Sequence, residues 1–281
     1  MKLNYKDTQA GAKFFKKEIF DVLVDNVHRI VTNQFVLPIV GQKHSSFSIG
    51  EMMNERKIII VNLSKGAIGE GASKFLGGVL VTRIYLEALS RSRVHEFEFE
   101  KTPQTKLFID ELQTISNHSF ADMFSFARNC KLALTVAHQY TGQMSEEVKK
   151  SILGNVGTIM SFALGGEDAK IFEGEFAPTF SAQDLCSLGR GEIHLKLMID
   201  GKTSEPFTAI TLDPLKVPKI SYVDQVVEFS RREFSRRGEA VMPEWKRREA
   251  KDLQKGDHIV VKSFFPEIKF WLPVYLNSPR L

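Results

Sequence analysis

Apolar residues recur along the chain in two rhythms, one suited to helices and one to strands. Over residues 8–33, Phe14, Phe15, Ile19, Phe20, Val22, Leu23, Val27 and Ile30 keep roughly helical spacing and predict an amphipathic helix. A connector containing Pro38 and a short helix over 48–54 follow. Residues 57–63, KIIIVNL, form a continuous apolar run that suits a strand covered on both faces in a parallel sheet. Gly66, Gly69 and Gly71 then predict a loop, and 72–90 a long helix. From there the rhythms alternate: strands over 106–110, 132–138 and 156–163, and helices over 119–130, 144–153 and 166–176. Strands separated by helices of about 10–15 residues signal an α/β fold with a mostly parallel sheet flanked by helices.

After a short helix over 183–188 the pattern changes. Residues 192–199 and 204–212 read as two strands around Asp200, Gly201, Lys202 and Thr203, and an Asp-Gly pair between strands is a hairpin signal. Beyond Pro214 the chain reads as helical and basic to about residue 252, and 251–281 is aromatic, interrupted by proline and unassigned. The expected organisation is a helical segment over 1–56, an α/β core over 57–214, and a basic helical tail with an unplaced end over 215–281.

Composition narrows the class. A chain of 281 residues with 43% hydrophobic and 26% charged residues can bury one large α/β core with appended structure. Two cysteines, Cys130 and Cys186, are too few for a disulfide framework, so a reduced, cytoplasmic setting is expected. The opening MKLNYKDTQAGAKFF lacks the apolar centre of a secretory signal. The apolar stretch 75–89 is interrupted by Arg83 and Glu87 and falls short of a membrane span. The net charge of +4 is small, but its distribution is uneven, with about five excess positive charges over 215–281. Arg231, Arg232, Arg236 and Arg237 cluster with Lys246, Arg247 and Arg248; a solvated helical face and contact with phosphate backbones both suit such a cluster.

The chemistry is concentrated in LFIDELQ, residues 107–113. An apolar strand ends there in Asp110 and Glu111, and ligands of open α/β sheets bind at the carboxyl ends of strands. Adjacent carboxylates at that edge match a Walker B strand end: Asp110 would hold magnesium largely through water, and Glu111 would polarise the water that attacks a γ-phosphate. An acid-decorated helix start is the plainer alternative. The next strand ends in Gln139, placed to hydrogen-bond the γ-phosphate or the attacking water, with His138 beside it read as structural. Arg128, on the helix between these strands, is either a surface residue or an arginine finger into a neighbouring subunit's nucleotide site.

Two look-alikes fail on spacing. Gly201, Lys202 and Thr203 resemble the end of a phosphate loop, but Lys196 stands where its first glycine belongs, and a hairpin rather than a helix follows. Gly66, Gly69 and Gly71 lack the dinucleotide spacing and carry no lysine at the phosphate position, so a tight loop near the site is expected, whose amides could still face an anion. The chain contains no Cys-x-x-Cys, no His-Glu-x-x-His and no Gly-x-Ser-x-Gly.

In order, IIIVNLSKGAIGEG, the long helix, LFIDELQ, SFADMFSFARNCKLALTVAHQY, GNVGTIMSFALGGEDA and HLKLMIDGKTSEPF resemble the conjugative coupling ATPases. These are the TraD/TraG-like proteins of type IV secretion, within the HerA/FtsK group of RecA-like P-loop motors. The resemblance covers roughly 10–235. It implies a homo-hexameric ring that moves DNA with ATP and Mg2+ at the inner face of the cell membrane, alongside other secretion components. Asp110 and Glu111 match the family's Walker B acids and Gln139 its strand-end glutamine, while Arg128 stands where an inter-subunit arginine is plausible; residues 8–54 resemble the close of its all-helical insertion. The phosphate loop (Walker A) and the strand before it are absent from these 281 residues, so a preceding half or a companion polypeptide would have to supply them. Other readings are a DNA- or partner-binding module on a decayed ATPase fold, and a superfamily 1 helicase fragment. The latter should carry Gly-Asp-x-x-Gln on the strand that here ends AHQY.

Overall fold

The computed structural model describes residues 33–236, apart from 34, 43, 94, 118 and 217, together with the backbone of 274–277. The helix expected over 8–33 lies outside these residues except for Asn33, as do Arg237, Lys246, Arg247 and Arg248 of the basic cluster.

The described chain opens with two short helices, α1 (Leu37–Val40) and α2 (Ile49–Asn54). Ser48 caps α2 by accepting from the Glu51 amide at 3.3 Å. Strand β1 (Ile58–Val61) leads through a short helix, α3 (Lys65–Ile68), into the long α4 (Glu70–Ser92). The expected glycine loop is therefore largely helical, with Gly69 at φ +82° turning the chain between α3 and α4. After α5 (Glu96–Lys101) come β2 (Thr105–Ile109), α6 (Leu112–Ile115) and α7 (Ser119–Phe126), the last extended by a 3₁₀ turn over Ala127–Cys130. Then follow β3 (Leu132–Val136), α8 (Glu146–Asn155), β4 (Ile159–Ser161), α9 (Gly166–Phe176) and α10 (Ala182–Cys186).

Strands β5 (Glu192–Lys196), β6 (Met198–Ile199), β7 (Lys202–Thr203) and β8 (Phe207–Ile210) make the expected hairpin. Its turn has φ +49° at Asp200 and +78° at Gly201, the paired left-handed conformation that makes Asp-Gly a hairpin signal. Helix α11 (Val223–Phe234) and strand β9 (Val274–Asn277) complete the elements.

The class is mixed α/β. Parallel pairing joins β2 to β3, with Thr105 opposite Leu132 through Ile109 opposite Val136. The other ladders among the described residues are antiparallel: β4–β5–β8, β6–β7 and β1–β9. Strand β9 falls in the segment that the sequence left unassigned. Its partner β1 departs from a doubly covered strand, for Ile58 and Ile60 are 45% and 52% exposed. These alternate residues share one face of the ladder, and no described layer covers that face.

The β2–β3 pair is likewise covered on one face. Leu107, Ile109, Leu134 and Val136 pack against Leu112, Phe120, Met123, Val148 and Ile152, drawn from α6, α7 and α8. Ala88 of α4 and Met53 of α2 join Leu132 in an adjoining cluster, which ties the end of the helical segment to the core. Phe108, pointing the other way, is 70% exposed. A separate core beneath β4 and β5 gathers Ile159, Phe172, Phe176 and Leu185.

Helix α4 lies close against α6 because Gly77 has no side chain. A Cβ there would stand 2.6 Å from Ile115 Cγ2, whereas at neighbouring Gly78 the nearest atom would be 3.4 Å away. Gly77→Ala should therefore destabilise the fold by about 1–3 kcal/mol through overpacking. Gly78→Ala should be near neutral, or stabilising by up to about 1 kcal/mol through helix propensity. Urea unfolding of the two variants checks this contrast; equal effects would refute it.

Candidate functional site

The parallel ladder continues past the formal ends of its strands. The Ala137 amide donates to the Ile109 carbonyl at 2.8 Å, and the Leu112 amide donates to the Ala137 carbonyl at 2.9 Å. These two bonds hold the segment after β2, Asp110 and Glu111, beside the segment after β3, His138 and Gln139.

Glu111 turns the chain from strand into α6 with φ +52° and ψ +45°. The left-handed region costs a residue other than glycine roughly 1–2 kcal/mol. Asp110 supports the turn by accepting from the Glu111 amide at 2.9 Å through Oδ1. Asp110 is exposed and Glu111 half-buried.

The Glu111 carboxylate is held at both oxygens. Gln139 Nε2 donates to Oε1 and Gln113 Nε2 donates to Oε2, each at 2.5 Å. A carboxylate only accepts, so both amides present their nitrogen to it. The expected neighbourhood of Glu111 and Gln139 is thus a direct contact. Gln113 was missed by sequence reasoning although it closes the same LFIDELQ motif. Its position two residues after the acid gave no sign that the short α6 would fold its side chain back onto Glu111.

Asp110 and Glu111 lie on the wall of an open cleft of about 1590 Å³. Lys65, at the start of α3, and Arg231, on α11, line the same cleft, and so do Asn62 and Ser64 beyond the end of β1. The segment after β1 and the acids therefore border one cleft.

The segment after β3 is fastened on its other side. Thr141, buried, donates through Oγ1 to Asp168 Oδ1 at 2.5 Å, and its amide lies 3.3 and 3.4 Å from the two Asp168 oxygens. Asp168 sits in the first turn of α9, where an acid is favoured by the helix dipole. His138 stacks on Phe172 of α9, with ring centroids 6.2 Å apart and planes 26° apart. Burial pushes the His138 imidazole below its usual pKa, with Asp168 opposing. This packing agrees with a structural histidine.

Arg128 is not brought to these residues within the chain. It is exposed in the 3₁₀ turn before β3, and the Thr105 amide donates to the Lys131 carbonyl at 2.9 Å beside it. The five residues of β2 separate that end of the ladder from Asp110, about 16 Å of strand.

The basic cluster is divided between described and undescribed residues. Arg231 and Arg232 lie in the last turn of α11 and Arg236 just beyond it, exposed, while Arg237 lies outside the described residues. Arg232 pairs with Glu233 at 3.0 Å and sits 5.5 Å from the Phe229 ring centroid. Val227 and Ser230 are buried, and Phe234 meets Phe47 edge-on at 6.0 Å. The helix is anchored on one side and basic on the other. Gly201, Lys202 and Thr203 occupy the hairpin turn and β7, far from any helix start. Among the described residues no group of three or more His, Cys, Asp or Glu side chains is placed to hold a metal by itself.

No protein-family model and no curated protein sequence matches the chain. Among solved structures it is similar to the bacterial conjugative coupling protein TrwBdeltaN70 in its unbound monoclinic form. The TM-score is 0.41 at 16% identity, over 50% of this chain and 38% of that one. The chain thus spans well under half the length of that structure.

The lowered His138 pKa has a consequence for stability. An unfolded histidine takes up a proton near pH 6.5 while the folded one resists it, so the contribution is fully present above that pH. It is lost as the pH falls below 6.5 toward the folded pKa. His138→Phe, which keeps a ring against Phe172, should reduce the loss of stability between about pH 7.5 and about pH 5, read from urea midpoints. An unchanged acid slope would count against it.

Proposed function

We propose that this chain is the part of an ATP-driven DNA-translocating motor, of the conjugative coupling kind, that carries the hydrolytic acids. The observation that carries the reading is the contact between Gln139 and Glu111 at the carboxyl ends of two parallel strands. A strand-end acid pair with a glutamine on the next strand supplies a magnesium ligand, a water-orienting group and a hydrogen-bond donor, roles that phosphoryl transfer uses.

In this reading Asp110 holds Mg2+ through water. A single exposed carboxylate fits that ion, which keeps several waters and is shared with phosphate oxygens. Bound MgATP supplies the phosphoryl group and the charge that neutralises its oxygens. Glu111 orients a water for attack on the γ-phosphorus: the water oxygen bonds to phosphorus, the bond to the β–γ bridging oxygen breaks, and the water's proton passes to Glu111. ADP and phosphate leave. Gln139 is the group that exchanges Glu111 for a γ-phosphate oxygen. Arg128, at the far end of its own strands, serves the nucleotide of a neighbouring subunit in a hexamer. Arg231, Arg232, Arg236 and Arg237 contact DNA phosphates. The phosphate loop comes from polypeptide outside these 281 residues, and association with a type IV secretion apparatus at the inner membrane face completes the picture.

Two outcomes test the reading. Residues 1–281 alone should bind MgATP more weakly than micromolar, because the main phosphate grip is missing; tight binding in calorimetry would refute this. In the assembled motor Glu111→Gln should lower hydrolysis by about 10²–10⁴-fold and stop DNA movement. Undiminished translocation would leave a binding module instead.

DNA contact has its own signature. Neutralising Arg231, Arg232, Arg236 and Arg237 should weaken duplex binding and flatten its salt dependence by about 0.9 in the log–log slope per lost phosphate contact. An unchanged slope would exclude these residues from the interface.

A further inference from the structure

The two amides that hold Glu111 differ in burial. Gln139 is exposed at a strand end, free to trade its bond for one to water. Gln113 is 7% exposed and sits in α6 between Leu112, 0% exposed, and Thr114, 8% exposed. Its Oε1 is buried with no hydrogen-bond partner, and its Nε2 donates to Glu111 Oε2. Swinging the amide away would strand a buried donor beside an already stranded acceptor. Flipping it would set Oε1 against the carboxylate.

We propose that Gln113 is a positioning residue that holds Glu111 Oε2 permanently, while Gln139 holds Oε1 releasably. The proposal rests on the reading of Glu111 as the acid that polarises water. Arrival of a γ-phosphate draws Gln139 away and frees Oε1 for the water, and Gln113 keeps the carboxylate from following Gln139 or rotating toward solvent. The left-handed backbone at Glu111 gives the clamp its purpose, because a residue carried on a tight turn needs its side chain fixed from elsewhere. The clamp divides the labour: the buried amide sets direction and the exposed amide sets timing.

The test needs no nucleotide. In the full chain with ¹⁵N-labelled glutamine side chains, Gln113→Leu and Gln139→Leu assign the two amide signals by their disappearance. In the unsubstituted chain both amide signals should lie away from the position of a free glutamine, and Glu111→Ala should move both toward it. A core glutamine with a merely structural role would not respond to loss of the Glu111 carboxylate, so movement of the Gln139 signal alone overturns the proposal. With Gln139→Leu, the Gln113 amide should keep its displaced position. With Gln113→Asn, too short to reach, the carboxylate should lose its fixed position and the Gln139 signal should shift or broaden; an unchanged Gln139 signal overturns the proposal as well. These outcomes hold whether or not the chain hydrolyses ATP, so they are separable from the Glu111→Gln hydrolysis measurement.

Discussion

The parallel ladder between β2 and β3 is the constraint on which the rest of the site depends. Parallel strands are in register along their whole length, so their carboxyl ends finish together, and two residues far apart in sequence become neighbours there. In this chain the bonds from Ala137 to Ile109 and from Leu112 to Ala137 carry the pairing one step beyond the strands. Were one strand to slip by one residue, its apolar pair, Leu107 and Ile109 or Leu134 and Val136, would leave the core, and Gln139 would lose Glu111. Hydrophobic burial therefore fixes the polar geometry.

Packing on one face of that ladder sets the angle at which the acids emerge. Helix α6 is short and wholly buried, and α4 reaches it through the space that Gly77 leaves beside Ile115. The chain between β2 and α6 has two residues in which to turn, Asp110 and Glu111, and Glu111 takes the left-handed conformation to do so. On the other side, Thr141 and Asp168 fasten the segment after β3 to the first turn of α9. The site is thus held between two cores, one beneath β2–β3 and one beneath β4–β5, while its outward residues, Asp110 and Gln139, stay exposed.

Charge is arranged around this frame rather than within it. Lys65 and Arg231 stand on the cleft wall that also bears Asp110 and Glu111, so an anionic ligand meets cations and acids on the same approach. In the proposed reading, Mg2+ held at Asp110 would offset that conflict. Phe108, on the parallel pair, and Ile60, on β1, expose apolar surface on faces that no described layer covers.

The sequence alone determined the α/β class, the order of most elements, the Asp200–Gly201 hairpin and the location of the acids at a strand end. Each is a local matter of periodicity, turn chemistry or an apolar run ending in charge. It also determined that Gly201, Lys202 and Thr203 are no phosphate loop, because spacing excludes it. Tertiary structure decided what local pattern cannot express. An apolar run reads alike whether its strand pairs parallel or antiparallel, so the pairing of β1 with β9 and the exposure of Ile58 and Ile60 were not legible in KIIIVNL. The distance of Arg128 from Asp110 follows from which end of the ladder a helix returns to. The bond from Gln113 to Glu111 depends on a positive φ in the two-residue turn and on the burial of Gln113, and neither leaves a mark on the composition of LFIDELQ. The sequence placed the two carboxylates; the packing of α4, α6 and β3 around them decided which amides hold Glu111, because hydrogen-bond partners are chosen by register and burial rather than by proximity along the chain.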